Sequence, residues 1–222
     1  YHADGLAFPY VPLTVSGGNV TLKNGTVYQR GNDTDMAGAI RVKGCTLNLS
    51  DNTHSGTFKG AQQNFIYYAI TVSSGGNLTV SGGTHEGGLN VLEKSTGTVK
   101  LLGGTFTLNT KNTNMGYSLQ NRQNESNSKV SDLLGENCIF VTTGDTPRKL
   151  TENEYSSTVV KMDVRVILHD QHHYSGDTGM CGCGELAEAV VVPAGSTSGT
   201  AYETFAEAAA AIKDACTIKL IK

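Results

Sequence analysis

ITVSSGGNLTVSGGTH, residues 70–85, contains two short runs of alternating apolar and polar residues, separated by paired glycines and closed by Gly-Thr. Alternation with a period of two is typical of a β-strand with one buried face, and glycine is typical of the turns between strands. The same arrangement recurs over residues 13–27, 40–58 and 89–106. The sequence therefore predicts a repeated unit built from short strands and tight turns.

Repeats of roughly 20 to 30 residues that contain short strands are typical of units stacked along one axis. We predict an all-β fold, a right-handed parallel β-helix, in which the strands of one repeat pair with those of the next. One residue of each repeat, or a close neighbour, is expected to point into a shared interior: Leu22, Leu49, Val80 and Leu102. An antiparallel β-sandwich is the alternative, although sandwich strands usually recur about every 8 to 12 residues.

Two apolar runs, at residues 138–142 and 159–168, follow the repeats after a polar, Asn-rich stretch. We expect them to be strands that close the open end of the stack, where unpaired backbone groups would otherwise remain. The β-helix with its closing strands is therefore predicted to span residues 1–165.

Two small parts are predicted after the closing strands: a metal-binding knuckle over residues 166–186 and a β-α-β segment over residues 187–222. Thr204 and Glu207 form the capping-box pattern that is expected at the start of the helix in the last part. This segment is too small to fold alone.

The charge balance of the 222-residue chain excludes some partners. The chain has 17 Lys and Arg against 20 Asp and Glu, a formal net charge of −3, so no strong field attracts a phosphate backbone. No apolar run approaches the roughly 18 residues that cross a bilayer. We expect no nucleic-acid partner and no membrane insertion within this chain.

The densest polar cluster follows the last closing strand, where three histidines and two cysteines lie within fifteen positions, residues 169–183. Zinc prefers four sulfur or nitrogen ligands in a tetrahedron, and four protein ligands make a closed, structural site. We predict a structural zinc site formed by Cys181, Cys183 and His173, with His169 or His172 as the fourth ligand. A Cys181–Cys183 disulfide, free thiols, and a redox or catalytic role are the alternatives.

The other cysteines and histidines have no partners in the sequence pattern. Cys45, Cys138 and Cys216 occur in apolar strand patterns and are expected to behave as small buried hydrophobic side chains. The other histidines are expected on the surface: His2, His54 and His85.

TAYETFAEAAAAIKDACTIKLIK, residues 200–222, resembles the strand–helix–strand segment that introduces β-helical repeats in very large cell-surface proteins of Gram-positive bacteria. DLLGENCIF, residues 132–140, and the His/Cys segment resemble other parts of the same modules. The resemblance implies an extracellular, cell-wall-attached, adhesin-like protein, in which residues 187–222 begin the next repeat unit and contact neighbouring modules of the same polypeptide. Some such modules bind host glycans, mucins or immunoglobulins. The resemblance implies no agreed activity for this one.

Three functions remain: adhesion through a host glycan or host protein, a passive spacer in a stalk, and a polysaccharide lyase or glycosidase. Catalysis on this fold would need paired carboxylates, or an acidic calcium cluster beside a basic residue. Because no such group recurs at one phase of the repeats, we expect no enzyme. We favour adhesion, with Tyr67 and Tyr68 as ligand-binding residues, since tyrosines offer stiff, amphipathic contacts.

Overall fold

The computed structural model describes residues 13–28, 39–50, 53–55, 68–92, 94–108, 116–124 and 127–222. The described chain forms two compact units. Unit 1 contains the described residues up to Thr142 together with Leu150–Leu168, and unit 2 contains Thr143–Lys149 and His169–Lys222. The finer division of the C-terminal part at residues 186 and 187 stays a prediction.

Unit 1 consists mainly of short strands. In chain order they are β1 (Leu13–Val15), β2 (Asn19–Lys23), β3 (Thr26–Tyr28), β4 (Ile40–Lys43), β5 (Thr46–Ser50), β6 (Thr53–Ser55), β7 (Ile70–Ser73), β8 (Asn77–Glu86), β9 (Leu89–Val91), β10 (Val99–Phe106), β11 (Leu119–Asn121), β12 (Cys138–Thr142), β13 (Val159–Val160) and β14 (Val164–Leu168). A short 3-10 helix, Val130–Leu133, and helix α1 (Glu152–Tyr155) lie between the later strands.

The first sheet takes one strand from each repeat, in the order β1-β4-β7-β9-β11-β13. The first five of these described strands pair in parallel. Their register aligns one inward-facing residue per strand: Leu13, Ile40, Ile70, Leu89 and Leu119. The four residues from β4 onward are fully buried. Alternate residues along a strand point to opposite faces, so this row is the apolar face that the repeat pattern predicts.

The second sheet has the order β12-β14-β10-β8-β5-β2, and its repeat strands β2, β5, β8 and β10 also pair in parallel. One of its inward rows ends at a register shift in β10 between Leu101 and Gly103, where Leu102 is the extra residue. Leu101 is therefore buried opposite Val80, whereas Leu102 is 41% exposed. In the fourth repeat, Leu101 thus occupies the interior position that was predicted for its neighbour Leu102.

The prediction of a right-handed parallel β-helix is wrong, because both sheets of unit 1 are mixed. β13 runs antiparallel to β11, and β14 runs antiparallel to both β10 and β12. Strands β13 and β14 therefore belong to the same sheets as the repeats and run in the opposite direction, whereas β12, which is antiparallel to β14, runs in the direction of the repeat strands. The antiparallel sandwich does not describe the unit either, since the repeat strands pair in parallel.

Four side chains outside the His/Cys segment can be compared with their expected placement. Cys45 and Cys138 are buried, as predicted, whereas Cys216 is only partly buried. The surface placement predicted for His85 is wrong: this residue is fully buried, its ring stacks on Phe106 with centroids 4.8 Å apart, and its Nε2 lies 3.2 Å from the Gly82 carbonyl oxygen. His2 and the side chain of His54 lie outside the described part of the chain.

Unit 2 contains a small antiparallel sheet and one helix among its described residues. The strands are β15 (Ala189–Pro193), β16 (Thr200–Tyr202) and β17 (Cys216–Leu220), with β15 in the centre. Helix α2 (Phe205–Ala210) begins with the predicted capping box, in which the Glu207 backbone N–H donates to Thr204 Oγ1 at 3.2 Å and the Thr204 N–H donates to Glu207 Oε2 at 3.1 Å. None of the described helices is long and apolar enough to span a bilayer.

The register shift in β10 gives a matched pair of variants for testing the core of unit 1. Leu101→Ala should lower the free energy of unfolding of unit 1 by about 2–5 kcal/mol, because it leaves a cavity in a fully buried row. Leu102→Ala should cost about 1 kcal/mol or less, because its side chain is partly solvated already. Urea unfolding followed by far-ultraviolet circular dichroism measures both. Equal losses would contradict the placement of the bulge.

Candidate metal centre

The two cysteines of the candidate site lie at the tip of a short hairpin, residues 180–186, which we call the Cys hairpin. Met180 pairs with Leu186 in an antiparallel bridge, and the Cys181 backbone N–H donates to the Glu185 carbonyl at 2.8 Å. The Gly184 N–H donates to the Cys181 carbonyl at 2.9 Å, which closes a four-residue turn. Both thiols therefore start from one rigid turn.

Gly184 has a specific reason to be glycine. Its φ is +90°, which side-chain-bearing residues rarely adopt, and a Cβ built at this position would overlap the carbonyl oxygen of Pro147. The turn that carries the thiols is thus packed tightly against the loop at residues 143–149, within the same unit.

The histidines are positioned by the segment that precedes the Cys hairpin. Tyr174 pairs with Cys181 in an antiparallel bridge, and the Ser175 N–H donates to the Met180 carbonyl at 3.0 Å. Between these points the chain makes one turn, in which the Gly179 N–H donates to the Ser175 carbonyl at 2.8 Å. This turn folds the residues just before Tyr174 back against the thiols.

Four side chains form the His/Cys cluster: His169, His172, Cys181 and Cys183. Their ligand atoms all lie within 4.8 Å of one another. Cys181 Sγ is 3.8 Å from His169 Nε2, and Cys183 Sγ is 3.6 Å from His172 Nδ1. In a tetrahedral site with zinc–sulfur bonds of about 2.3 Å and zinc–nitrogen bonds of about 2.0–2.1 Å, neighbouring sulfur and nitrogen atoms lie about 3.6 Å apart. These two sulfur–nitrogen distances are near that value, and the four ligand atoms are close enough together to bind a metal ion.

Burial differs between the two kinds of ligand. Both cysteines are buried, at 3% exposure each, whereas both histidines are partly exposed. The two imidazole rings meet edge to face, with centroids 4.7 Å apart. A metal ion would thus sit on a water-poor pair of sulfur atoms with the imidazoles toward solvent.

The two thiols have different acidities. Burial raises the pKa of the Cys181 thiol, but hydrogen bonds from the Cys183 backbone, the His172 side chain and the His173 backbone outweigh it and lower the pKa to about 6. Burial raises the pKa of the Cys183 thiol, and the nearby Cys181 thiolate raises it further. At neutral pH, Cys181 is therefore the thiol that is already deprotonated and ready to bind a metal ion.

His173 does not join the cluster. Its Nε2 lies 3.4 Å from Asp170 Oδ1, and its side chain is 67% exposed. The hydrogen bond from His173 lowers the pKa of the Asp170 carboxyl. The His172 ring instead stacks on that of Tyr174, with centroids 5.4 Å apart.

Two further expectations can be compared with the structure. All five cysteines lie in described parts of the chain and are free thiols, so Cys181 and Cys183 are not joined by a disulfide. Tyr68 is 9% exposed and its hydroxyl donates to Gln120 Oε1 at 2.7 Å, while Tyr67 lies outside the described residues. The structure therefore does not present Tyr68 as an exposed ligand-binding ring.

Glu185 is a polar neighbour of the cluster that the sequence pattern did not single out. Its Oε2 lies 3.3 Å from His172 Nε2, the ring nitrogen on the side opposite the one that faces the Cys183 thiol.

Comparisons of the chain with protein-family models, curated proteins and solved structures find no match.

The unequal acidity of the two thiols predicts unequal reactivity in the metal-free chain. Cys181 should be alkylated by iodoacetamide faster than Cys183 at neutral pH, because the thiolate is the nucleophile and the Cys181 pKa is lowered to about 6. The Cys181 rate should rise as the pH increases through about 6 and then level off. The Cys183 rate should still be rising in the alkaline range.

Peptide mass spectrometry after short pulses of reagent separates the two sites. The cysteines are equally buried, so each serves as the accessibility control for the other. The single variants Cys181→Ser and Cys183→Ser show each thiol without its neighbour. Faster labelling of Cys183 at neutral pH would contradict the assignment.

Proposed function

We propose that this chain is a non-enzymatic structural module, in which one zinc ion bound by the His/Cys cluster stabilises unit 2. The observation that supports this proposal is the convergence of four metal-ligating side chains within 4.8 Å, contributed by two separate segments of unit 2. A metal ion on all four would join the segment before Tyr174 to the Cys hairpin.

The donor set favours zinc over other metals. Two thiolates and two imidazoles are soft and borderline ligands, which zinc takes in a tetrahedral arrangement, whereas calcium and magnesium prefer oxygen ligands. The cluster itself contains no carboxylate. Four protein ligands would complete the zinc shell, so the ion would hold no water to activate, and a structural role follows.

The small core of unit 2 also supports a structural role. Apart from the two cysteines, the buried apolar side chains of unit 2 are all alanine or valine: Ala187, Ala189, Val190, Val191, Val192 and Ala208. Three of these six are alanines, which bury little apolar area. A domain with so small a core usually needs a metal or a disulfide, and the thiols here are free.

Adhesion at a bacterial surface, through a host glycan or host protein, remains the favoured setting for such a module. It depends on the resemblance to Gram-positive surface proteins. The buried position of Tyr68 removes one of the two residues first proposed for ligand binding, and a passive spacer role fits the same fold and metal site.

Metal content tests which histidines bind. The purified chain should contain one zinc ion per molecule by elemental analysis. Cys181→Ser and His172→Ala should lose it or bind it far more weakly, because three ligands remain. His173→Ala is the matched control, since it changes the adjacent histidine, and it should keep a full complement of zinc. Loss of zinc from His173→Ala with retention in His172→Ala would contradict the assignment.

Removal of the metal should affect the two units differently. A chelator should increase amide hydrogen exchange in unit 2, above all at the Cys181 and Gly184 N–H groups, whose acceptors lie in the Cys hairpin that the metal would hold. Exchange in the parallel strands of unit 1 should stay unchanged, because none of the ligands belongs to them. Mass spectrometry of peptic fragments measures both. Equal loss of protection in both units would contradict a role confined to unit 2.

A further inference from the structure

We propose that Glu185 is a positioning residue for the metal site: its carboxylate holds the His172 ring so that Nδ1 is the ligand atom. This role rests on the proposed zinc site. His172 Nε2 lies 3.3 Å from Glu185 Oε2, and His172 Nδ1 lies 3.6 Å from Cys183 Sγ. The two ring nitrogens thus face a carboxylate and a thiol, respectively.

An imidazole ring with a carboxylate at one nitrogen and a thiol at the other is suited to metal binding. A neutral imidazole carries its proton on one nitrogen, and only the other nitrogen has a lone pair for a metal. A carboxylate next to Nε2 favours the proton there, because the N–H can donate to it. With zinc in place of the hydrogen bond between His172 and the thiols, the lone pair would then lie on Nδ1, which faces the cluster. Metal-bound histidines commonly donate their other N–H to such an acceptor.

Glu185 is well placed to do this. Its backbone carbonyl accepts the Cys181 N–H at 2.8 Å, so the residue that holds the ring also belongs to the turn that carries the thiols. On its ring face, His172 is stacked by Tyr174, with ring planes 16° apart, which limits rotation of the imidazole. The ring therefore has a stacking contact on one face and a carboxylate 3.3 Å from its outer nitrogen.

The neighbouring histidine supplies a natural comparison. His173 also pairs with a carboxylate, Asp170, at 3.4 Å, but it is not a member of the His/Cys cluster. Glu185 thus contacts the histidine that belongs to the cluster, and Asp170 contacts the exposed histidine next to it. The Glu185 side chain is 59% exposed and that of Asp170 is 49% exposed, so removing either leaves no cavity in a core.

The experiment compares zinc affinity in three variants of the full chain, by competition with a chromogenic chelator. Glu185→Ala should weaken zinc binding about 10- to 100-fold, the usual effect of losing an outer partner of a metal ligand. Glu185→Gln should recover part of the loss, because its side-chain oxygen can still accept the Nε2 proton. Asp170→Ala is the matched control and should bind zinc as the unchanged chain does.

A second measurement reports on the ring itself. In proton–nitrogen correlation spectra of the labelled, zinc-loaded chain, His172 should show a protonated Nε2 and a metal-bound Nδ1. In Glu185→Ala, the same signals should broaden or show a second form, because the ring is no longer held in one orientation. A general loss of stability would not produce this change selectively at His172.

The outcomes separate this role from the proposed function. Full zinc content with unchanged affinity and unchanged His172 signals in Glu185→Ala would overturn the positioning role and leave the zinc site intact. Equal weakening by Asp170→Ala would also overturn it, because the effect would then be one of surface charge. An unchanged chain that binds no zinc would overturn the proposed function and the positioning role together.

Discussion

The apolar residues of one repeat can be buried only against those of the next, and unit 1 depends on this constraint. Ile40, Ile70 and Leu89 lie in one parallel register, and each covers its neighbour. The last layer of such a stack needs a cap, because it would otherwise expose apolar side chains and also unpaired backbone N–H and C=O groups. The antiparallel strands β13 and β14 meet this need, since they pair with the last repeat strands of the two sheets. The antiparallel strands that close the stack are what make both sheets mixed.

Residues beyond Leu168 have no further repeat to pack against within unit 1, and unit 2 is organised differently. Its central strand β15 is buried, but the members of its core are small. The most specific contacts in the unit lie around the His/Cys cluster, where turns, bridges and a glycine fitted against Pro147 place four side chains together. The local sequence there is rich in residues that define turns, and poor in the large apolar residues that define a core.

The sequence predicted the strands and most of the interior of unit 1, because a period of two identifies a strand and its buried face whatever its partners are. It did not predict the direction of the closing strands, since parallel and antiparallel strands share that period. It misplaced Leu102 because a bulge shifts the alternation by one residue without changing composition. In the candidate metal site, the ligand types were evident, but His172 and His173 are adjacent and chemically identical. Which of them faces the thiols depends on how residues 169–173 fold back against the Cys hairpin, and no period in the sequence reports that.

The magnitudes indicate why a metal would matter more to unit 2 than to unit 1. Structural zinc in small domains contributes about 10–16 kcal/mol of binding free energy, whereas full burial of one large apolar side chain contributes about 1.5–3 kcal/mol. Unit 1 contains many such side chains, including Phe106, Phe140 and Leu119. In unit 2, the buried members of the hydrophobic cluster around Val191 are that valine and two alanines, so the cluster contains no large buried side chain. Ordering each backbone residue costs about 1–2 kcal/mol, so the loops of unit 2 need a strong local interaction. The His/Cys cluster is the feature of the described chain best able to supply it, so the proposed orientation of the His172 ring by Glu185 would bear on folding as well as on metal binding.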